Sequence, residues 1–154
     1  MSETVIQVTS LGKRIKGKTI LEDISFEINK GDCVALIGPN GAGKTVLMSC
    51  ILGDKKPSSG QVLIDGKAGK AKNKIAVLLQ ENTIPNSLKV EELIAFFQSI
   101  SDNPLTNQEV QDLLQFKEDQ YQQFADKLSG GQRRLLAFVL CLIDKPKILF
   151  LDEP

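Results

Sequence analysis

The chain has 154 residues, and its 19 lysines and arginines balance its 19 aspartates and glutamates to a formal net charge of zero at pH 7. That balance removes any composition-level case for nucleic acid or an anionic membrane surface as partner. With 42% hydrophobic and 25% charged residues, a disordered or collagen-like chain is excluded as well, and one globular domain with its own core is expected.

No histidine occurs, which excludes histidine catalysis and histidine metal ligation within the chain. Cys33, Cys50 and Cys141 are odd in number, widely spaced and each set among apolar neighbours. That pattern argues against a disulfide framework or a zinc site and for a reducing compartment. Residues 1 to 10 carry no signal-peptide pattern. The longest apolar run, Leu135 to Ile143, has nine residues, far below the roughly 18 of a membrane-spanning helix.

In chain order, Val5 to Val8 is a strand candidate, and Ile24 to Ile28 alternates apolar and polar residues as a half-buried strand does. Cys33 to Ile37 is a continuous apolar run, the look of a parallel strand covered on both faces. Gln61 to Asp65, between Gly60 and Gly66, reads as another strand, and Gly66 to Lys74 as a solvated loop. Ala76 to Leu79 is a second continuous apolar run. Residues 87 to 117 read as largely helical: Val90, Leu93, Ile94 and Phe97 share a helical face, and Thr106 with Glu109 forms a capping box ahead of Val110, Leu113 and Leu114. A further helix is expected through Leu135 to Ile143, and Ile148 to Leu151 is a third continuous apolar strand candidate.

Three constellations carry chemistry. Gly38, Pro39, Asn40, Gly41, Ala42, Gly43, Lys44 and Thr45 follow the apolar run ending at Ile37 and match the phosphate-binding loop (Walker A) pattern. Glycines let successive main-chain N–H groups curl around phosphate, and the following helix turns its positive end toward the anion. Lys44 would bring a point charge to the β- and γ-phosphates, and the Thr45 hydroxyl a ligand for Mg²⁺. Next, Ile148 to Leu151 leads into Asp152 and Glu153, two carboxylates at the edge of the sheet where open α/β folds bind ligands. Asp152 would serve Mg²⁺ through water and Glu153 would act as general base toward an attacking water. Taken alone, such a strand end is commonplace; beside the phosphate loop it gains meaning. Finally, Leu128, Ser129, Gly130, Gly131 and Gln132 place a hydroxyl suited to N-cap a helix before two glycines, a second helix terminus able to face an anion. Physics alone leaves it equally a capped helix start.

Together these three segments resemble the nucleotide-binding subunit of ATP-binding cassette (ABC) transporters, and Leu128 to Gln132 matches that family's signature motif completely. The resemblance implies an α/β fold: a P-loop NTPase core with a mainly parallel sheet, an N-terminal antiparallel β region, and an inserted helical subdomain at residues 81–128. It implies binding of ATP and Mg²⁺, with Gln80 looking like the Q-loop glutamine that senses the metal and the γ-phosphate. It also implies ATP hydrolysis coupled to transport. Ser129, Gly130, Gly131 and Gln132 would clasp ATP held by a second ATP-binding subunit, the two facing head to tail as a homo- or heterodimer. Transmembrane permease subunits would be the other partners, contacted by the helical stretch, at the cytoplasmic face of the membrane. The compact helical region and the turn Pro85 to Leu88 lean toward an exporter-type cassette.

Departures from the family pattern are part of the reading. Where the family places an aromatic residue to stack on adenine, this chain has Lys13, Arg14, Ile15 and Lys16, and Arg14 could stack its guanidinium instead. Val46 stands where the family commonly sets a hydroxyl against the α-phosphate. The chain stops at Pro154, before the family's D-loop and switch histidine, so the resemblance covers a front part of the subunit. Two alternatives follow: a nucleotide-holding fragment that does not hydrolyse, or a soluble ABC ATPase not engaged in transport.

Overall fold

At the tip of the first hairpin, Lys16 (φ 47°) and Gly17 (φ 79°) are both left-handed, the backbone pattern that joins two antiparallel strands through a two-residue turn. They close strand β1 (Thr4–Ile15) onto β2 (Lys18–Asn29), with Ile15 opposite Lys18 and Thr4 opposite Asn29. The computed structural model describes residues 3–68, 75–79 and 84–152, and divides the chain into two compact units, Met1–Lys72 and Asn73–Pro154. Gln80, Glu153, Pro154 and residues 69–74 of the expected loop lie outside the described residues.

The first unit is built on a four-stranded antiparallel sheet in the order β2-β1-β3-β4, where β3 is Ser59–Ile64 and β4 is Lys67–Ala68. Ile6 and Val8 of β1 pair with Ile64 and Val62 of β3. Alternation sends Ile6, Val8 and Ile64 into the core with Leu11 and Leu21, as period-two patterning requires. Gly60 (φ +73°) passes directly against the Ser10 carbonyl, an approach that leaves no room for a side chain. Helix α1 (Lys44–Ile51) buries Leu47, Cys50 and Ile51.

The second unit pairs β5 (Ile75–Leu78) with β6 (Ile148–Leu151) in parallel, Ile75 opposite Ile148 and Leu78 opposite Leu151. Between them in sequence come α2 (Val90–Ser99), α3 (Asn107–Leu114), α4 (Glu118–Tyr121) and α5 (Gly130–Leu142). Their apolar faces form one core with Leu78: Val90, Leu93, Val110, Leu136 and Val139 are among its buried members. The expected capping box is present. Thr106 Oγ1 accepts from the Glu109 N–H at 3.2 Å, and Glu109 accepts in return from the Thr106 N–H at 2.7 Å.

The α/β architecture, the N-terminal antiparallel region and the helical stretch agree with the expectation, and β1 and β2 run well beyond the segments the pattern marked. The run Cys33 to Ile37 does not. It joins neither sheet among the described residues, and Val34, Leu36 and Ile37 are 60%, 46% and 90% exposed rather than covered. A continuous apolar run marks a buried strand only where neighbouring strands supply its ladder, and periodicity carries no information about those neighbours. Coverage of the other two runs is also partial: Leu79, just past β5, and Leu151, the last residue of β6, are exposed.

Candidate functional site

The turn into α1 is made by Gly41 (φ 82°) and Gly43 (φ 93°), both in the left-handed region that side chains resist. At Gly43 a Cβ would also meet Leu21 Cδ2 at 3.0 Å and the Ile20 carbonyl oxygen at 3.3 Å, so glycine is required twice over. Gly43 is the N-cap of α1 and, having no side chain, supplies no cap. The first intrahelical bond runs from the Leu47 N–H to the Gly43 carbonyl (2.8 Å), leaving the N–H groups of Lys44, Thr45 and Val46 without an intrahelical acceptor. Lys44 folds back over the loop: its Nζ donates to the carbonyls of Gly38 at 2.6 Å and Pro39 at 2.9 Å. Thr45 is exposed and Val46 half-buried. Helix-start N–H groups, an ammonium and a hydroxyl thus meet in one exposed loop, a set that fits a phosphate group and its metal.

In the second unit, Ser129 N-caps α5 as expected, its Oγ accepting from the Gln132 N–H at 3.3 Å while Gln132 Oε1 accepts from the Ser129 N–H at 3.0 Å. Gly130 and Gly131 are helical and exposed, and a Cβ at either would meet nothing within 4 Å. Among the described residues, their lack of a side chain serves no contact. Asp152 follows β6, half-buried, and its N–H donates to the Leu78 carbonyl at 2.9 Å, extending the parallel ladder by one bond.

Two residues escape the sequence reading, Arg133 and Arg134. Arg134 donates to the Leu79 carbonyl at 3.1 Å and the Asp152 carbonyl at 3.5 Å. Arg133 donates to the Ile84 carbonyl at 3.4 Å and to Asn86 Oδ1. Their partners lie between 18 and 55 positions away, so no local spacing could reveal them. Residues 38–46 share the first unit; Ser129, Gly130, Gly131, Gln132 and Asp152 share the second.

A family model described as "ABC transporter" matches residues 21–154. The chain belongs to the ABC transporter family. It is 35% identical over 153 residues to the spermidine/putrescine import ATP-binding protein PotA of Protochlamydia amoebophila, covering 94% of this chain and 41% of that protein. The methionine import ATP-binding protein MetN of Legionella pneumophila is 35% identical over 162 residues, 97% of this chain and 48% of its own length. The solved structure of cbiO1 from Clostridium perfringens, described as part of the ABC transporter complex cbiONQ, superposes with a TM-score of 0.82 at 26% identity, over 99% of this chain and 66% of that one. This chain therefore spans about half the length of the curated relatives it matches. Both relatives are named as import proteins, so the lean toward an exporter-type cassette finds no support in them; a compact helical region does not encode the direction of transport. Among the described residues, no helix is long and apolar enough to cross a membrane.

Proposed function

We propose that this chain is the nucleotide-binding part of an ABC transporter ATP-binding subunit that binds Mg²⁺-ATP and hydrolyses it to drive a solute through separate transmembrane permease subunits. The observation that carries the reading is the open start of α1, where a glycine N-cap leaves main-chain donors without a side-chain partner beside the Lys44 ammonium. Residues 1–154 would form a partial ABC nucleotide-binding domain, with residues 81–128 as its helical subdomain. Import is favoured over export by the names of the relatives.

Residue by residue, the N–H groups and glycines of 38–46 bind phosphate, and Lys44 neutralises charge that develops during transfer. Thr45, Asp152 and Gln80 serve the metal. Glu153 takes the proton of the attacking water. Ser129, Gly130, Gly131 and Gln132 close on ATP bound to a second such subunit, head to tail, a role supported by two glycines beside which the described residues leave open space. Among the described residues, no group of three or more acidic or thiol side chains could hold a metal alone. That suits Mg²⁺, which keeps its waters and arrives with substrate phosphates; once bound it supplies charge neutralisation at the β- and γ-oxygens. With those partners, the protein would work at the cytoplasmic face of a membrane, a reading supported by relatives named as import ATP-binding proteins.

The test is ATP binding and phosphate release by this chain, compared with Lys44→Ala and Glu153→Gln. Lys44→Ala should weaken binding roughly 10- to 150-fold, whereas Glu153→Gln should bind ATP and release no phosphate. Nucleotide binding indifferent to Lys44, or no binding at all, would overturn the proposal.

A further inference from the structure

The parallel ladder of β5 and β6 ends with the bond from the Asp152 N–H to the Leu78 carbonyl. Just past that bond, Arg134 reaches both strand ends, one Nη to the Leu79 carbonyl (3.1 Å) and the other to the Asp152 carbonyl (3.5 Å). A guanidinium holds its two Nη groups in one rigid plane, so bridging carbonyls at the ends of adjacent strands ties Leu79 and Asp152 to one another. The mount is firm: Arg134 is half-buried on α5, whose Leu136, Ala137 and Leu140 are buried in the core. Arg133 engages a different segment, Ile84 and Asn86. Two consecutive arginines thus have separate tasks, and Arg134 alone of the two grips the residue whose carboxylate is assigned to the metal.

Resting on the metal role proposed above for Asp152, we infer that Arg134 is a positioning residue: by holding the Asp152 carbonyl against the end of β5, it orients the Asp152 carboxylate for Mg²⁺. A merely structural role would weaken folding and all nucleotide binding together. A positioning role predicts a selective loss of the gain in ATP affinity that Mg²⁺ brings.

The experiment is calorimetric titration of the chain with ATP in Mg²⁺ and in EDTA, for the unmodified protein, Arg134→Ala, Arg134→Lys, Arg133→Ala and Asp152→Asn. Arg134→Ala should lower the ratio of affinities with and without Mg²⁺ by about 10-fold or more, the scale of loss when a group orienting a metal ligand is removed. Its metal-free affinity should stay within about twofold, because residues 38–46 are untouched. Arg134→Lys, which keeps the charge and loses the fork, should show the same loss and carries the test should the alanine variant fail to fold. Arg133→Ala should leave the ratio unchanged. An unchanged ratio in the Arg134 variants, or an equal fall in Arg133→Ala, overturns the inference while leaving the proposed function standing. A ratio insensitive to Asp152→Asn overturns it together with the metal role of Asp152, and an unmodified chain that binds no ATP overturns the proposed function itself.

Discussion

The Lys44 ammonium nitrogen lies 2.6 Å from the Gly38 carbonyl oxygen, clasping the first glycine of its own loop six residues back. The bond is exposed, so its net contribution to folding is small. Lys44→Ala should therefore shift stability by no more than about 1 kcal/mol while weakening ATP binding roughly 10- to 150-fold, the worth of hydrogen bonds to a charged group. Chemical denaturation and nucleotide titration of the same preparation would separate the two effects. Parallel losses in both would mean that the lysine serves the loop's fold.

Gly43 makes the opposite prediction. With φ at +93° and Leu21 Cδ2 only 3.0 Å from where a Cβ would sit, Gly43→Ala should cost at least about 1–2 kcal/mol for the left-handed backbone alone. The urea midpoint should fall accordingly; an unchanged midpoint would contradict the loop conformation described above.

At Gly131 the fold makes no such demand. The residue is helical and a Cβ would meet nothing within 4 Å, so Gly131→Ala should stabilise the chain by about 0.5–1 kcal/mol through helix propensity. If the surface is kept bare for a second subunit, ATP-dependent association of two copies, followed by light scattering, should weaken in the same variant. Destabilisation would show that the glycine serves this chain's own packing.

Arg14 stands on β1 with its Nε donating to Thr19 Oγ1 at 3.2 Å across the hairpin and its N–H to Ser58 Oγ at 3.0 Å. If its planar guanidinium takes the place of an aromatic ring against adenine, Arg14→Ala and Arg14→Lys should both lower ATP affinity several-fold, since a lysine cannot stack. Binding of tripolyphosphate, which has no base, should be unaffected. Equal ATP affinity in all three proteins would remove Arg14 from base recognition.

The three cysteines should label in a fixed order. Cys33 is exposed, whereas burial pushes the thiols of Cys50 and Cys141 above their usual range. The thiolate is the reactive form, so a maleimide at neutral pH should modify one site, Cys33. The other two should react only as pH rises above the ordinary thiol range or the chain unfolds. Peptide mapping by mass spectrometry would read the order directly.

Legibility in the sequence followed the range of the forces involved. Thr106 with Glu109 and Ser129 with Gln132 are satisfied within three residues, and the turn at Gly41 and Gly43 needs nothing beyond its own backbone; each could be read from spacing. The fate of Cys33 to Ile37 depends on strands that must come alongside, and the grip of Arg134 on Leu79 and Asp152 depends on three distant segments converging. Hydrophobic pattern states that a segment seeks cover; it does not name the cover. Nothing in the spacing of Arg133 and Arg134 points to those partners.

The β1–β2 and β5–β6 pairings differ in how far apart their partners lie along the chain. The β1–β2 hairpin joins residues no more than 25 positions apart, Thr4 with Asn29 at its open end, while Ile75 must find Ile148, 73 positions later (148 − 75). Closing the longer loop costs more entropy before any contact compensates for it. During synthesis, then, the hairpin can zip up while most of the polypeptide is still unmade, whereas β5 stays without its partner until the ribosome has passed the last residues of β6.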